Sequence, residues 1–231
     1  MKETRFTING IPAVLYGENA DHVWLFVHGK LGCKEEAAAF AEIAAETGAQ
    51  VLAVDLPGHG ERQTEGIDAL TPWNAVPELE RLYEYAAERW KHISLRATSI
   101  GCWFAMLAYT GKPLRKSLFV SPVVDMAKLI RDMMGWAGVS EKELKERGTI
   151  PTSFGETLDW EYHRYAEEHP VTWECPTAVL YAGQDNLTSR ETIEDFCGRW
   201  GCALTVMEEG EHWFHTPEQL SVMSGWEREN L

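Results

Sequence analysis

The sequence is poor in the features that assign a protein fastest. No stretch approaches the roughly 20 consecutive apolar residues that a bilayer crossing needs, so no membrane span is expected. Cations are the minority: 21 Lys and Arg stand against 36 Asp and Glu, a formal net charge of −15. The acidic residues are scattered rather than gathered in one block, and that balance argues against nucleic acid or an anionic membrane as partner. The five cysteines, at positions 33, 102, 175, 197 and 202, are odd in number and without CxxC spacing. They predict reduced thiols rather than a disulfide framework or a zinc site. No His-x-x-Glu-His, clustered cysteines or carboxylate-rich loop suggests a metal, and no phosphate-binding glycine loop is present. Gly58-His59-Gly60 lacks the rest of a dinucleotide fingerprint, so no cofactor is expected. The first residues, MKETRFTINGIPAVLYGENADHVWLFVHG, hold no signal-peptide pattern, which with the thiols predicts a cytoplasmic protein.

What is present is a 231-residue chain with a 45% hydrophobic and 25% charged share, enough to build one globular domain over 1–231 with a large core. Thr4–Ile8 and Ile11–Tyr16, joined by Asn9-Gly10, read as a hairpin, because Asn-Gly supplies the positive φ of a tight turn. Val23–Val27, Val51–Val54, Ile93–Ala97, Ser117–Val120, Thr177–Tyr181 and Leu204–Met207 are short apolar runs of the kind expected of strands buried on both faces. Between and after them, helices are predicted over Glu35–Thr47, Pro72–Lys91, Ile100–Tyr109, Arg190–Trp200 and Pro217–Glu229. Alternation of this kind predicts an α/β fold, a mostly parallel sheet covered on both sides, with an antiparallel hairpin at its leading edge. Residues 122–170 break the rhythm and predict a small helical cap inserted above the strand ends.

Reactive groups of open α/β sheets gather beyond the carboxyl ends of the strands. Those ends supply His28-Gly29-Lys30, Asp55-Leu56-Pro57-Gly58-His59-Gly60, Ser99, Asp185 and His212. Four separated motifs in this order resemble those of the α/β-hydrolase family over nearly the full chain. His28-Gly29-Lys30-Leu31-Gly32 resembles the family's HGxxG oxyanion loop, and Asp55 to Gly60 its DxPGxG turn. Ala97-Thr98-Ser99-Ile100-Gly101 resembles the GxSxG nucleophile elbow, with alanine, also small, at the first position. Ala182-Gly183-Gln184-Asp185 and Gly210-Glu211-His212 match the acid and histidine loops.

The resemblance implies acyl transfer: Ser99 as nucleophile, His212 as base and Asp185 as the acid orienting it, with the backbone N–H groups of Lys30 and Ile100 as oxyanion hole. By local sequence alone Ser99 reads equally as a helix N-cap. Asp125, just after a strand, competes with Asp185, and His215 with His212. His28 and His59 read as shaping their loops, and Cys102 as inert core. In the cap, Met126, Leu129, Ile130, Met133, Met134 and Trp136 fall near helical spacing, with Trp160, Tyr162 and Tyr165 further on. Most of these are expected to pack the cap onto the core. Met126, Ile130, Met133, Trp136 and Trp160 are the candidates for an apolar substrate pocket. The expected partner is a small-molecule acyl substrate, by default a small to medium carboxylic ester. A thioesterase, lipase, amidase or carbon–carbon hydrolase would use the same residues, and a silent binding protein of this fold would be expected to lack one.

Overall fold

The N-terminal hairpin forms because Asn9 and Gly10 both adopt positive φ, 49° and 85°, the turn that matches the twist of paired strands. The computed structural model describes residues 1–231. Strands β1 (Glu3–Ile8) and β2 (Ile11–Tyr16) pair antiparallel through this turn. The sheet continues with β3 (His22–Val27), β4 (Gln50–Val54), β5 (His92–Thr98), β6 (Ser117–Val120), β9 (Thr177–Ala182) and β10 (Ala203–Met207). Its order is β1-β2-β4-β3-β5-β6-β9-β10, parallel from β4 onward.

Strands β3 and β4 are apolar over most of their length because alternate residues enter two different cores. In β3, Val23, Leu25 and Val27 face one side with helices α2 (Pro72–Ala87) and α3 (Ile100–Tyr109), while Trp24 and Phe26 face α1 (Ala37–Ala45) and α8 (Pro217–Glu229) on the other. In β4 the split is Leu52 and Val54 against Val51 and Ala53. Helix α8 is tied beneath β5 by a buried pair, Arg96 Nε donating to Glu227 Oε1 at 3.0 Å. Truncating either partner would leave an uncompensated buried charge. Helix α7 (Arg190–Trp200) is N-capped by Ser189 and stops at Gly201 in the left-handed region.

Two predicted helices are shorter than their sequence patterns. The segment from Lys34 begins as a 3₁₀ turn over Lys34–Glu36 before α1, because the Lys34 side chain is drawn inward. Its ammonium meets Asp55 Oδ2 at 2.7 Å and Glu61 Oε1 at 2.6 Å. Helix α2 ends at Ala87 rather than Lys91, and beyond it the Trp90 Nε1–H donates to Gln50 Oε1 at 2.9 Å. No helix is long and apolar enough to cross a membrane.

Between β6 and β9 the chain forms α4 (Met126–Ala137), α5 (Glu141–Arg147) and α6 (Trp160–Glu168), and also a short antiparallel hairpin, β7 (Thr149–Pro151) with β8 (Thr157–Asp159). The hairpin adds to the helical cap an element that was not expected. Its strands are three residues each, too short to show a period, and Gly148 before β7 and Pro151 at its end read as breaks.

Candidate active site

Strand β5 runs directly into α3, and the corner is Ser99, with φ 52° and ψ −127°. That is a region L-residues avoid, at a cost of order 1–3 kcal/mol, retained only where the surroundings fix it. They do so here: Ser99 N–H donates to Val120 O at 3.0 Å, and Ser99 O accepts from Cys102 N–H at 3.0 Å and Val123 N–H at 3.1 Å. Ser99 therefore stands at the head of α3, yet its side chain makes no capping bond to the helix. Its hydroxyl instead lies 2.8 Å from His212 Nε2. The N-cap reading fails on this point.

The other ring nitrogen, His212 Nδ1, is 2.7 Å from Asp185 Oδ2. Asp185 Oδ1 accepts the Leu187 and Thr188 N–H groups at 2.8 and 3.1 Å. Both oxygens of this buried carboxylate are thus engaged, and its orientation toward the ring is fixed. Chain entropy does not loosen the pair, because the two loops are themselves joined: Gly183 N–H donates to Met207 O and Gln184 N–H to Gly210 O, both at 2.8 Å. The competing residues lie elsewhere. Asp125 caps α4, its Oδ1 accepting from Lys128 N–H at 2.8 Å. His215 Nδ1 is engaged by Trp213 O at 2.8 Å and the ring stacks on Trp213. Cys102 is fully buried, and burial pushes its thiol far above the ordinary value, as expected of an inert core thiol.

The loop after β3 also comes close to Ser99, since a Cβ on Gly29 would lie 3.3 Å from the Ser99 Cβ. Two buried imidazoles brace it in the same way. His28 Nδ1 donates to Gly29 O at 2.7 Å while Nε2 accepts from Leu56 N–H at 3.0 Å. His59 Nδ1 donates to Pro57 O at 2.8 Å while Nε2 accepts from Leu31 N–H at 2.9 Å. Each ring uses one donor and one acceptor, the pattern of a neutral imidazole. Burial lowers the His28 pKa to about 4. Beneath them Asp55 holds Lys34 and the Glu61 N–H, which explains why an aspartate opens the Asp55–Gly60 turn. Burial opposes the Lys34 charge, but its bonds to Asp55, Glu61 and Glu35 outweigh that and hold the ammonium above its usual value.

The Lys30 N–H donates to no protein acceptor. The Ile100 N–H opens α3, where no carbonyl of the helix can accept it. Neither amide therefore has a partner within the protein. The Lys30 ammonium reaches across to the cap, 2.6 Å from both carboxylate oxygens of Glu156 in the turn between β7 and β8. Sequence reading missed this contact and the His59 bracket; neither has a local signature.

The five pocket candidates do not form one wall. Ile130 and Met126 are buried in the core, Met133 packs against it, and Trp160 lies edge-on to His163 with the Lys145 ammonium over its face. Trp136 is exposed against Phe154. A cavity of about 540 Å³ under the cap is lined by residues including Trp103, Val124, Met126, Val171, Phe196 and Trp200. Of the five, Met126 alone reaches it, and Ser99 and His212 are not on its wall.

A profile of the alpha/beta hydrolase family matches residues 24–221. No curated protein matches the chain by sequence. Among solved structures, Est1E from Butyrivibrio proteoclasticus with ferulic acid bound is 19% identical with a TM-score of 0.76, over 98% of this chain and 97% of that one. A putative hydrolase from Agrobacterium vitis S4 is 15% identical with a TM-score of 0.78, over 99% and 98%. The thioesterase domain from the curacin biosynthetic pathway is 16% identical with a TM-score of 0.64, over 98% and 99%. At these identities the likeness is one of fold.

Proposed function

The chain belongs to the alpha/beta hydrolase family, and from that premise we propose that it is a serine hydrolase cleaving a small to medium carboxylic ester through an acyl-Ser99 intermediate. The observation that carries the reading is the unbroken line from Ser99 Oγ to His212 Nε2 at 2.8 Å and from His212 Nδ1 to Asp185 Oδ2 at 2.7 Å. With Asp185 accepting the proton on Nδ1, the lone pair sits on Nε2, facing the hydroxyl. Nε2 takes the serine proton as Oγ attacks the ester carbonyl, and Asp185 stabilises the imidazolium that forms. The carbonyl oxygen, now negative, turns to the Lys30 and Ile100 amides, each contributing about 3–4 kcal/mol of transition-state stabilisation in sites of this kind. Collapse expels the alcohol, which leaves with the proton from His212. Water then enters by the reverse route and frees the acid.

Proteins of similar fold include one with bound ferulic acid, an aromatic carboxylic acid, and a thioesterase domain, so esters and thioesters of graded acyl length belong in one assay panel. The test is fluorophosphonate labelling and ester turnover of the wild type and Ser99→Ala. The variant is expected to lose the label and at least 10³-fold in kcat/KM. Equal labelling of both proteins would sink the reading.

A further inference from the structure

We propose that Cys197 and Cys202 close into a reversible disulfide, which makes the C-terminal turn of α7 a modification site for hydroperoxides. Cys202 immediately precedes β10, at the edge of the sheet opposite the strand ends that lead to Ser99 and Asp185. The inference is therefore independent of the hydrolase reading.

The backbone brings the two residues together. Cys197 lies in the last turn of α7, and in a continuing helix a residue five places on would point about 140° away from it. The helix does not continue. Gly201 takes φ 68°, and the Cys202 N–H turns back to donate to Cys197 O at 3.0 Å. That bond closes a Schellman turn, whose two end side chains pack on each other. The sheet agrees with this placement. β10 runs beside β9 with Ala203 opposite Ala178, and the alternate residues Cys202, Leu204 and Val206 pack on the same core as Ile193, Phe196 and Cys197 of α7. The two thiols meet there, close enough to hydrogen-bond each other, and both are free.

Their contact divides their acidity. The Cys202 S–H donates to the Cys197 sulfur and lowers the Cys197 pKa, while Cys202, which keeps the shared proton, is raised. Cys197 is thus the member that ionises first. Cys202 is half-buried, which gives the pair a side open to solvent. The other three thiols lack such help. Burial raises Cys33, Cys102 and Cys175, and Cys175, which also lies near Cys202, is engaged by Ser117 Oγ at 3.7 Å.

The step balances with a hydroperoxide as oxidant. The Cys197 thiolate attacks one peroxide oxygen, the O–O bond breaks, and the sulfur becomes a sulfenic acid while the other oxygen leaves and takes a proton. The Cys202 sulfur then attacks the Cys197 sulfur. An S–S bond forms, the S–O bond breaks, and hydroxide departs with the Cys202 proton as water. Two electrons pass from the pair of sulfurs to the peroxide. The loop so closed is short and lies at a partly exposed turn, so a dithiol can reopen it.

The test is peptide mapping of the full-length protein, reduced with dithiothreitol, freed of it, and treated with one equivalent of hydrogen peroxide before alkylation. Arg199 lies between the two cysteines, so trypsin separates residues 191–199 from 200–228 unless a disulfide holds them. The linked pair is expected as the main oxidised product. Thiols titrated in the unfolded chain should fall from five to three and return to five on dithiothreitol. Cys202→Ser removes the partner, so Cys197 should be trapped as sulfenic acid by dimedone, whereas Cys175→Ser should form the link as the wild type does. The wild-type map decides the matter even if a variant folds poorly. A link that includes Cys175, a link between two chains, or oxidation of Cys197 beyond sulfenic acid with no link overturns the proposal. So does a Cys197 that is still fully alkylated once Cys33 or Cys175 has been consumed.

Discussion

A Cβ on Gly101 would lie 2.3 Å from the carbonyl oxygen of His28. The first turn of α3 is therefore seated directly on the end of β3, and the distance between the serine corner and the oxyanion loop is set by the absence of one methyl group. Gly101→Ala must push the two apart, since the obstacle is main chain and cannot rotate away. An ångström of misplacement at a reacting centre costs about 100-fold. A fall of at least that size in kcat/KM is expected, with a lowered thermal midpoint. Ala97→Gly, at the buried first position of the elbow, should keep Ser99 reactive to fluorophosphonate and cost only about 0.5–1 kcal/mol of stability.

The serine corner holds strain that its side chain does nothing to relieve. At φ 52° and ψ −127° the penalty belongs to Cβ, so Ser99→Ala keeps it and Ser99→Gly removes it. Glycine also costs unfolded-state entropy, which reduces but does not cancel the gain. Both variants should be inactive, and Ser99→Gly should be more stable than Ser99→Ala by about 1 kcal/mol in urea unfolding. Equal stabilities would mean that the corner is relaxed.

Two aspartates competed for one role, and their hydrogen bonds separate them. Asp185 Oδ2 faces His212, whereas Asp125 Oδ1 caps α4. Asp185→Asn presents an amide to the ring, favours the wrong tautomer, and is expected to lower kcat by about 10⁴-fold. Asp125→Ala removes a helix cap, so its expected cost is about 1 kcal/mol in stability. If instead Asp125→Ala abolishes turnover at unchanged stability, the acid has been misassigned.

Burial and backbone angle explain which elements were legible in the sequence. Strands β3, β4 and β9 were visible because both their faces are buried, which writes a continuous apolar run. The Asn9-Gly10 turn was visible because few residues accept its backbone angles. Ser99, Asp185 and His212 were visible through motifs that hold them at strand ends. The cap hairpin was not, because strands of three residues show no period, and its tie to the oxyanion loop was not, because Lys30 and Glu156 lie far apart with nothing local to mark them as partners. Lys34 was hidden for the same reason. Lys34 stands just before the helix predicted from Glu35, and the partners that draw it inside, Asp55 and Glu61, lie 21 and 27 residues on.

The buried imidazoles give stability a definite pH dependence. His28 titrates at about 4 in the folded protein, against 6.5 for a free imidazole, because burial disfavours its charge. His22 is shifted the same way to about 4, again by burial, though it is half exposed. Between pH 6.5 and 4 the unfolded chain binds protons that the folded one refuses, so stability is complete above 6.5 and is lost as pH falls toward 4. For His28 this amounts to about 3 kcal/mol. Glu35 acts in a lower window. Burial would raise its pKa, but Lys34 and Arg5 hold it at about 2, so its contribution fades only below the usual carboxylate value near 4.5. Urea unfolding at a series of pH values should show the first loss, and His28→Gln should reduce the slope between pH 6.5 and 4 by close to one proton. Parallel slopes in the two proteins would exclude His28 as a source.

His59 tests whether the oxyanion loop is held in place or merely rests there. Its ring touches no reacting group in the proposed mechanism. It fixes Leu31 N–H at 2.9 Å, and Lys30, the proposed oxyanion donor, is the preceding residue. If this bond orients the loop, His59→Ala should lower kcat by roughly 10–100-fold with little change in KM, because the lost interaction is one that forms fully only in the transition state. A merely structural role predicts something else: a lower thermal midpoint with kcat kept at temperatures where the variant is folded. His59→Gln supplies an acceptor oxygen on a side chain of similar reach, and should restore part of kcat. Rescue by glutamine but not by alanine would tie the rate to a single acceptor beneath the loop, and failure of both to lower kcat would show that the loop needs no such support.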